Sequence, residues 1–282
     1  MRRAGRQEEF FQGDFDLDMV DLRWVMVKIP RMNFDISQLL EQWDYEPGQV
    51  VVRKFKSKDG TDKIQLRVDL GLLQMNAHGR PDGKRPFGQE SLFEHHAARL
   101  QKYRKANGGS EVGFHLKAEE CAKLQQEAIQ YHHRYICLFQ LEEYGAVVRD
   151  TERNMEVFDF VQLYTSEELA WSLQQFRPQL LMMRTRAKAS AALASGKHRE
   201  AVHYIENGVE EIREFCREHS RHDLEENGGE IASLEAWLEQ IRARRPLSER
   251  EKLQSALDEA LRREDYETAA QVRDALRNLK SS

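Results

Sequence analysis

The sequence predicts an α+β fold that is mainly α: a small antiparallel sheet with helices, then a helical body and a C-terminal antiparallel helical hairpin. Three observations carry this expectation. Ile64, Leu66, Val68, Leu70 and Leu72 alternate with Gln65, Arg67, Asp69 and Gly71, the period of two of a half-buried strand. After residue 90 the apolar residues recur at helical spacing almost to the end of the chain. Finally, Glu264-Asp265-Tyr266-Glu267 interrupts the last helical stripe and divides it in two.

Four segments follow. Residues 1–20 read as a flexible acidic tail holding Phe10, Phe11 and Phe15. Residues 21–116 read as a small α+β domain. Leu22 to Ile29 is an apolar run before Pro30, expected as a strand, and Val50, Val51 and Val52 start a second. Between them Ile36, Leu39, Leu40 and Trp43 fall on one helical face. Asp59-Gly60 marks a hairpin turn, and the slip of the alternation at Leu72-Leu73 is read as a bulge. Leu92, His96, Leu100 and Tyr103 share a face of a helix that Asn107-Gly108-Gly109 stops, with a short strand expected at Val112 to Leu116.

Residues 117–245 read as a helical domain. The pattern from Cys121 through Leu124, Ala128, Ile136 and Phe139 to Phe158 and Gln162 is too long for one helix when the mean is about 11–12 residues, so two helices or a kink near Gly145 are expected. Helices around Leu180 to Leu193, Arg199 to His222 and Ile231 to Arg244 follow, punctuated by Ser195-Gly196 and Asn227-Gly228-Gly229. The stretch from Ala192 to Glu206 resembles half of a tetratricopeptide hairpin, with Gly196 at the turn and Ala201 at the close contact, but no second copy follows. Residues 246–282 form the fourth segment, opened by Pro246 and a capping box of Ser248 and Glu251.

Composition narrows the function classes. The 282 residues are 40% hydrophobic and 32% charged, with a net charge of −5 and a pI near 6.1. This argues against a nucleic-acid binder or a cationic membrane binder over the whole surface, and leaves a local basic patch open. The basic start Met1-Arg2-Arg3 is followed by acids rather than an apolar core, so a signal peptide is not expected. Apolar runs are too short to cross a bilayer. Three widely spaced cysteines, Cys121, Cys137 and Cys216, fit a reduced, cytoplasmic protein.

The last segment is the informative one. Leu253, Leu257, Ala260 and Leu261 make one stripe; Ala269, Ala270, Arg273, Leu276 and Leu279 follow the turn. Leu253 to Leu279, with its E-D-Y-E turn and its A-A and R-D pairs, resembles the UVR motif, a helical hairpin of the excision-repair subunits UvrB and UvrC. The resemblance implies a protein-binding element that pairs with another UVR hairpin. It implies a partner face of Leu253, Leu257, Leu261, Tyr266, Ala269, Ala270, Arg273 and Leu276, with Tyr266 pinning the turn. The partner would be a second copy or a UVR-containing repair or Clp-type protein. No C-x-x-C pair, Walker A loop, helicase domain or nuclease domain accompanies the motif, so neither repair nor proteolysis follows from it.

Other residues invite chemistry and fall short of a motif. Gly79 to Pro86 resembles a phosphate cradle, yet three residues rather than four separate its glycines, and Arg85 stands where Ser or Thr would hold magnesium. Arg80, Lys84 and Arg85 are candidate anion contacts, as are Arg149 and Arg153 on a helical face. Cys216, His219 and His222 diverge around their helix and show no fourth ligand, and Glu200-x-x-His203 has no second copy, so no metal or cofactor is expected. His132 reads as a core histidine. No Ser/His/Asp or Cys/His arrangement is legible. The reading is therefore a non-catalytic interaction or adaptor protein. One alternative is a nucleic-acid or DNA-repair accessory using Arg99, Lys102, Arg104 and Lys105, or Arg184, Arg186 and Lys188. Another is an enzyme with a pocket between the sheet and the long helices.

Overall fold

A computed structural model describes residues 35–221, 228–244, 249–263 and 265–278. The predicted strand at Leu22 to Ile29, the tail, His222, Asn227, Ser248 and Glu264 lie outside them, as does the side chain of Glu251. Two compact units divide within one helix, the first ending at Lys188 and the second beginning at Ala189. Both are predominantly helical, and the first also holds the only sheet among the described residues.

The first unit opens with α1 (Ser37–Glu41), which has five residues and buries none. Three antiparallel strands follow in the order β1 (Val51–Lys56), β2 (Asp62–Val68), β3 (Gly71–Asn76). Asp59-Gly60 makes the first turn, with Gly60 at a φ of 80°. The alternation that sequence reads as a single bulged strand is two strands. Val68 pairs with Gly71, leaving Asp69-Leu70 as a two-residue turn with Leu70 90% exposed. A two-residue turn exchanges the even-numbered inward positions of β2 for odd-numbered ones of β3. Leu73 and Met75 therefore share the face of Ile64, and the slip at Leu72-Leu73 is this exchange rather than a bulge. Ile64 and Met75 are buried on that face, against the helices.

The helices of this unit are α2 (Leu92–Ala106), α3 (Ala118–Gln140), α4 (Tyr144–Tyr164), α5 (Glu167–Gln174) and the part of α6 (Arg177–Ala194) that ends at Lys188. The long apolar pattern is two helices, broken at residues 141–143 with Glu142 at a φ of 59°. The strand expected at Val112 to Leu116 is absent. Val112 is 86% exposed, and Gly113 sits at a φ of 91° because Tyr103 holds the loop, its hydroxyl donating to the Val112 carbonyl at 2.7 Å. Leu116 is buried and its N–H donates to the Tyr164 carbonyl.

A buried ionic network ties the sheet and the loop after it to α3 and α4. Arg134 and Asp150 are each 1% exposed and form a two-pronged pair at 2.6 and 2.9 Å. The same guanidinium donates to the carbonyls of Asn76 and Gly79. About two turns earlier on α3, Glu127, fully buried, accepts from the N–H groups of Leu92 and Phe93 at the start of α2. Arg80 and Arg153 both pair with it, and Arg153 stacks on Tyr131. A carboxylate at a helix N-terminus is favoured by the helix dipole, and its burial is offset here by two cations.

The second unit contains α7 (His198–Glu218), α8 (Gly229–Arg244), α9 (Glu249–Arg262) and α10 (Tyr266–Asn278). Gly196 at a φ of 72° closes the turn before α7, and Ala201 is fully buried. The helices α7 and α8 pack together and bury Ile205, Val209, Ile212, Leu234, Leu238 and Ile241. Arg213–Glu235 and Arg242–Glu206 bridge them at 2.7 Å each.

Two outcomes follow. Asp150→Ala leaves the Arg134 guanidinium buried without its carboxylate and should lower stability by about 3–5 kcal/mol, read by denaturant unfolding. Burial holds His96 and His132 at about 4, against a usual 6.5, with Arg99 adding to the effect on His96 and His133 to that on His132. The unfolded chain then binds more protons than the folded one below pH 6.5, so stability is full above that pH and declines as pH falls towards 4. Thermal melting across this window should show the decline, and His96→Gln should flatten it.

Candidate functional site

The C-terminal hairpin is built from two short helices and one tight turn. Arg262 and Arg263 both reach Glu259 from the last turn of α9. The Asp265 N–H donates back to the Ala260 carbonyl at 2.9 Å. The Asp265 side chain then caps α10, accepting from the Thr268 N–H at 3.1 Å and the Thr268 hydroxyl at 2.7 Å. The hydroxyl contact, then the N–H, holds the Asp265 carboxyl below its ordinary value.

Small residues set the approach of the two helices. Ala260 and Ala269 are 5% and 6% exposed and stand either side of the turn. Further along, Leu253, Leu257, Ala270 and Leu276 are half-buried. Leu261 is 50% exposed. Tyr266 does not pin the turn: it is the first residue of α10 and 69% exposed, and the cap of that helix is Asp265. Arg273 is exposed, beside Asp274. Val272 is half-buried on α10, a position the sequence reading passed over. Its spacing of three from Ala269 and four from Leu276 is the signal that marks the inner seam.

The candidate anion contacts are dispersed over two kinds of place. Arg80 and Arg153 converge on Glu127, and Arg149 donates to Asp150. Lys84 is exposed on the loop, and Arg85 stands 3.9 Å from Glu90. Of the basic runs, Arg99 pairs with Glu120, Arg104 with Glu111 and Lys188 with Glu152. Burial opposes ionisation of Glu120, but the hydrogen bonds from Arg99 and the Lys117 N–H prevail and hold it at about 2.

The residues weighed as ligands are engaged elsewhere. Cys216 is fully buried, and the His219 ring lies against Phe215 with Nδ1 3.0 Å from its carbonyl. Glu200 accepts from Tyr204, and His203 lies 3.0 Å from Asn207. His132 Nδ1 is 2.6 Å from the Tyr135 hydroxyl. Among the described residues no group of three His, Cys, Asp or Glu is placed to hold a metal ion, and no helix is long and apolar enough to cross a membrane. A shallow hollow in the second unit is lined by His198, Arg199, Val202 and Arg242, and Arg242 also binds Glu206 and Glu239.

Residues 248–282 match the family model of the UvrB/uvrC motif, UVR. The match takes in both helices of the hairpin and its turn. No curated protein and no solved structure matches the chain.

Proposed function

We propose that this protein is a non-catalytic interaction protein that acts through its C-terminal hairpin. The hairpin pairs with a second UVR-type hairpin, borne by another copy of the chain or by a UVR-containing repair or Clp-type protein. The observation that supports this most is the coincidence of the motif with an incompletely covered apolar stripe. Leu253, Leu257 and Leu276 are only half-buried, and Leu261 and Tyr266 are exposed. A hairpin of about 35 residues buries too little surface to stand alone, so a second apolar face adds directly to its stability. The alanines at the neck keep the two helices close, and the leucines are left for the partner.

Leu257→Asp tests the reading. It places a charge in the paired seam and should abolish self-association or partner capture, measured by analytical ultracentrifugation and by mixing with the partner. Melting of the first unit should stay near that of the parent. Pairing that survives Leu257→Asp contradicts the proposal; unfolding of the whole chain makes the hairpin a docked structural tail.

A further inference from the structure

The face of the sheet opposite Ile64 and Met75 carries three half-buried cations around a buried Gln65, and no carboxylate stands in its cross-strand rows. Strand register places three cross-strand rows on it: Val51–Arg67–Leu72, Arg53–Gln65–Gln74 and Phe55–Lys63–Asn76. Each row holds one cation and none holds a carboxylate. Arg53 donates to Gln65, Gln65 to Gln74, and Lys63 to Asn76. Arg67 donates to the backbone carbonyls of the next turn. Elsewhere in this unit arginines lie against acids: Arg80, Arg99, Arg104, Arg134, Arg149 and Arg153 all do. Arg53, Lys63 and Arg67 form no ion pair among the described residues.

The patch extends beyond the strands. The Asn76 N–H donates to the Pro81 carbonyl at 2.8 Å, and a Cβ on Gly83 would meet the Asn76 amide at 2.8 Å. That close approach brings exposed Lys84 near the third row, where Asp82 accepts the Lys84 N–H at 2.9 Å and lies 3.4 Å from Arg80. Aromatic rings interleave with the cations. Trp43 lies 4.2 Å from the Arg53 guanidinium and Tyr45 5.0 Å from that of Arg67, and Phe55 stands in the third row.

We propose that this face binds single-stranded nucleic acid, with Arg53, Lys63, Arg67 and Lys84 on the phosphates. Three strand rows that each hold a cation and no carboxylate, on a chain of net charge −5, mark a polyanion rather than a neutral partner. Interleaved rings and amide side chains suit unstacked bases, which a duplex does not present. The site lies wholly in the first unit and does not depend on the hairpin reading.

Fluorescence anisotropy of the full chain with a labelled single strand of about 12 nucleotides, as RNA and as DNA, tests it. Binding to either is expected, and the stronger one identifies the sugar. Four phosphate contacts on a single strand predict a slope of log K against log salt of about −3. K63E/K84E should weaken binding at least tenfold, whereas Leu257→Asp should leave it unchanged. If circular dichroism shows K63E/K84E to be misfolded, Lys84→Glu alone must weaken binding by about fivefold, since Lys84 is on an exposed loop. No binding at low salt overturns the proposal, as does binding indifferent to these charges. Equal affinity for duplex, or equal competition by polyglutamate, overturns it in favour of a general polyanion or acidic-protein surface.

Discussion

The buried carboxylates of Glu127 and Asp150 are the constraint around which the first unit is arranged. Glu127 is paired with Arg80 and Arg153, and Asp150 with Arg134 of α3 and with its own neighbour Arg149. Through Arg134 the end of β3 and the loop after it are fixed to α3, and through Glu127 the start of α2 is fixed to the same helix. An unpaired charge in such a place costs several kcal/mol, so loss of any one partner is strongly destabilising. Their result is a fixed orientation of the sheet. Ile64 and Met75 are buried on one face, and the rows of Arg53, Lys63 and Arg67 lie on the other, half-buried beside Trp43 and Tyr45.

The second unit follows a different principle. Its helices are joined by apolar seams edged with exposed ion pairs such as Arg213–Glu235. Such pairs add little each, so burial of Ile205, Leu234 and their neighbours carries the packing of α7 on α8. The hairpin takes this to its limit: among its described residues the buried ones are two alanines, and the larger apolar side chains are half-buried or exposed. An element with so little internal burial is suited to stabilisation by what it binds.

Much of this was legible in the sequence, for reasons of periodicity. The helical stretches from Leu92 onward, the break near Gly145, the two halves of the hairpin and the motif itself all rest on local spacing, which tertiary contacts did not override. Misreadings occurred where a particular contact or turn, rather than the apolar spacing, decides the conformation. The turn at Asp69-Leu70 is hidden because Leu70 keeps the strand period while standing 90% exposed. The segment at Val112 looks like a strand until Tyr103 holds it as a loop. Tyr266 looks like an anchor until Asp265 is seen to cap the helix. Arg80 and Arg153 look like free anion contacts because Glu127, between them in sequence, gives no sign of its burial. The cationic sheet face was invisible, since its three rows assemble residues from three strands.

The account's central claim is that the apolar stripe of the hairpin meets a second hairpin. Photo-crosslinking from position 261 of the full-length chain, in the cell that makes it, tests this most directly because Leu261 is half-exposed beside the turn. The account predicts a crosslink to a UVR-type hairpin of another chain, whether a second copy or a different protein. Crosslinks confined to residues 35–244 of the same chain would contradict it.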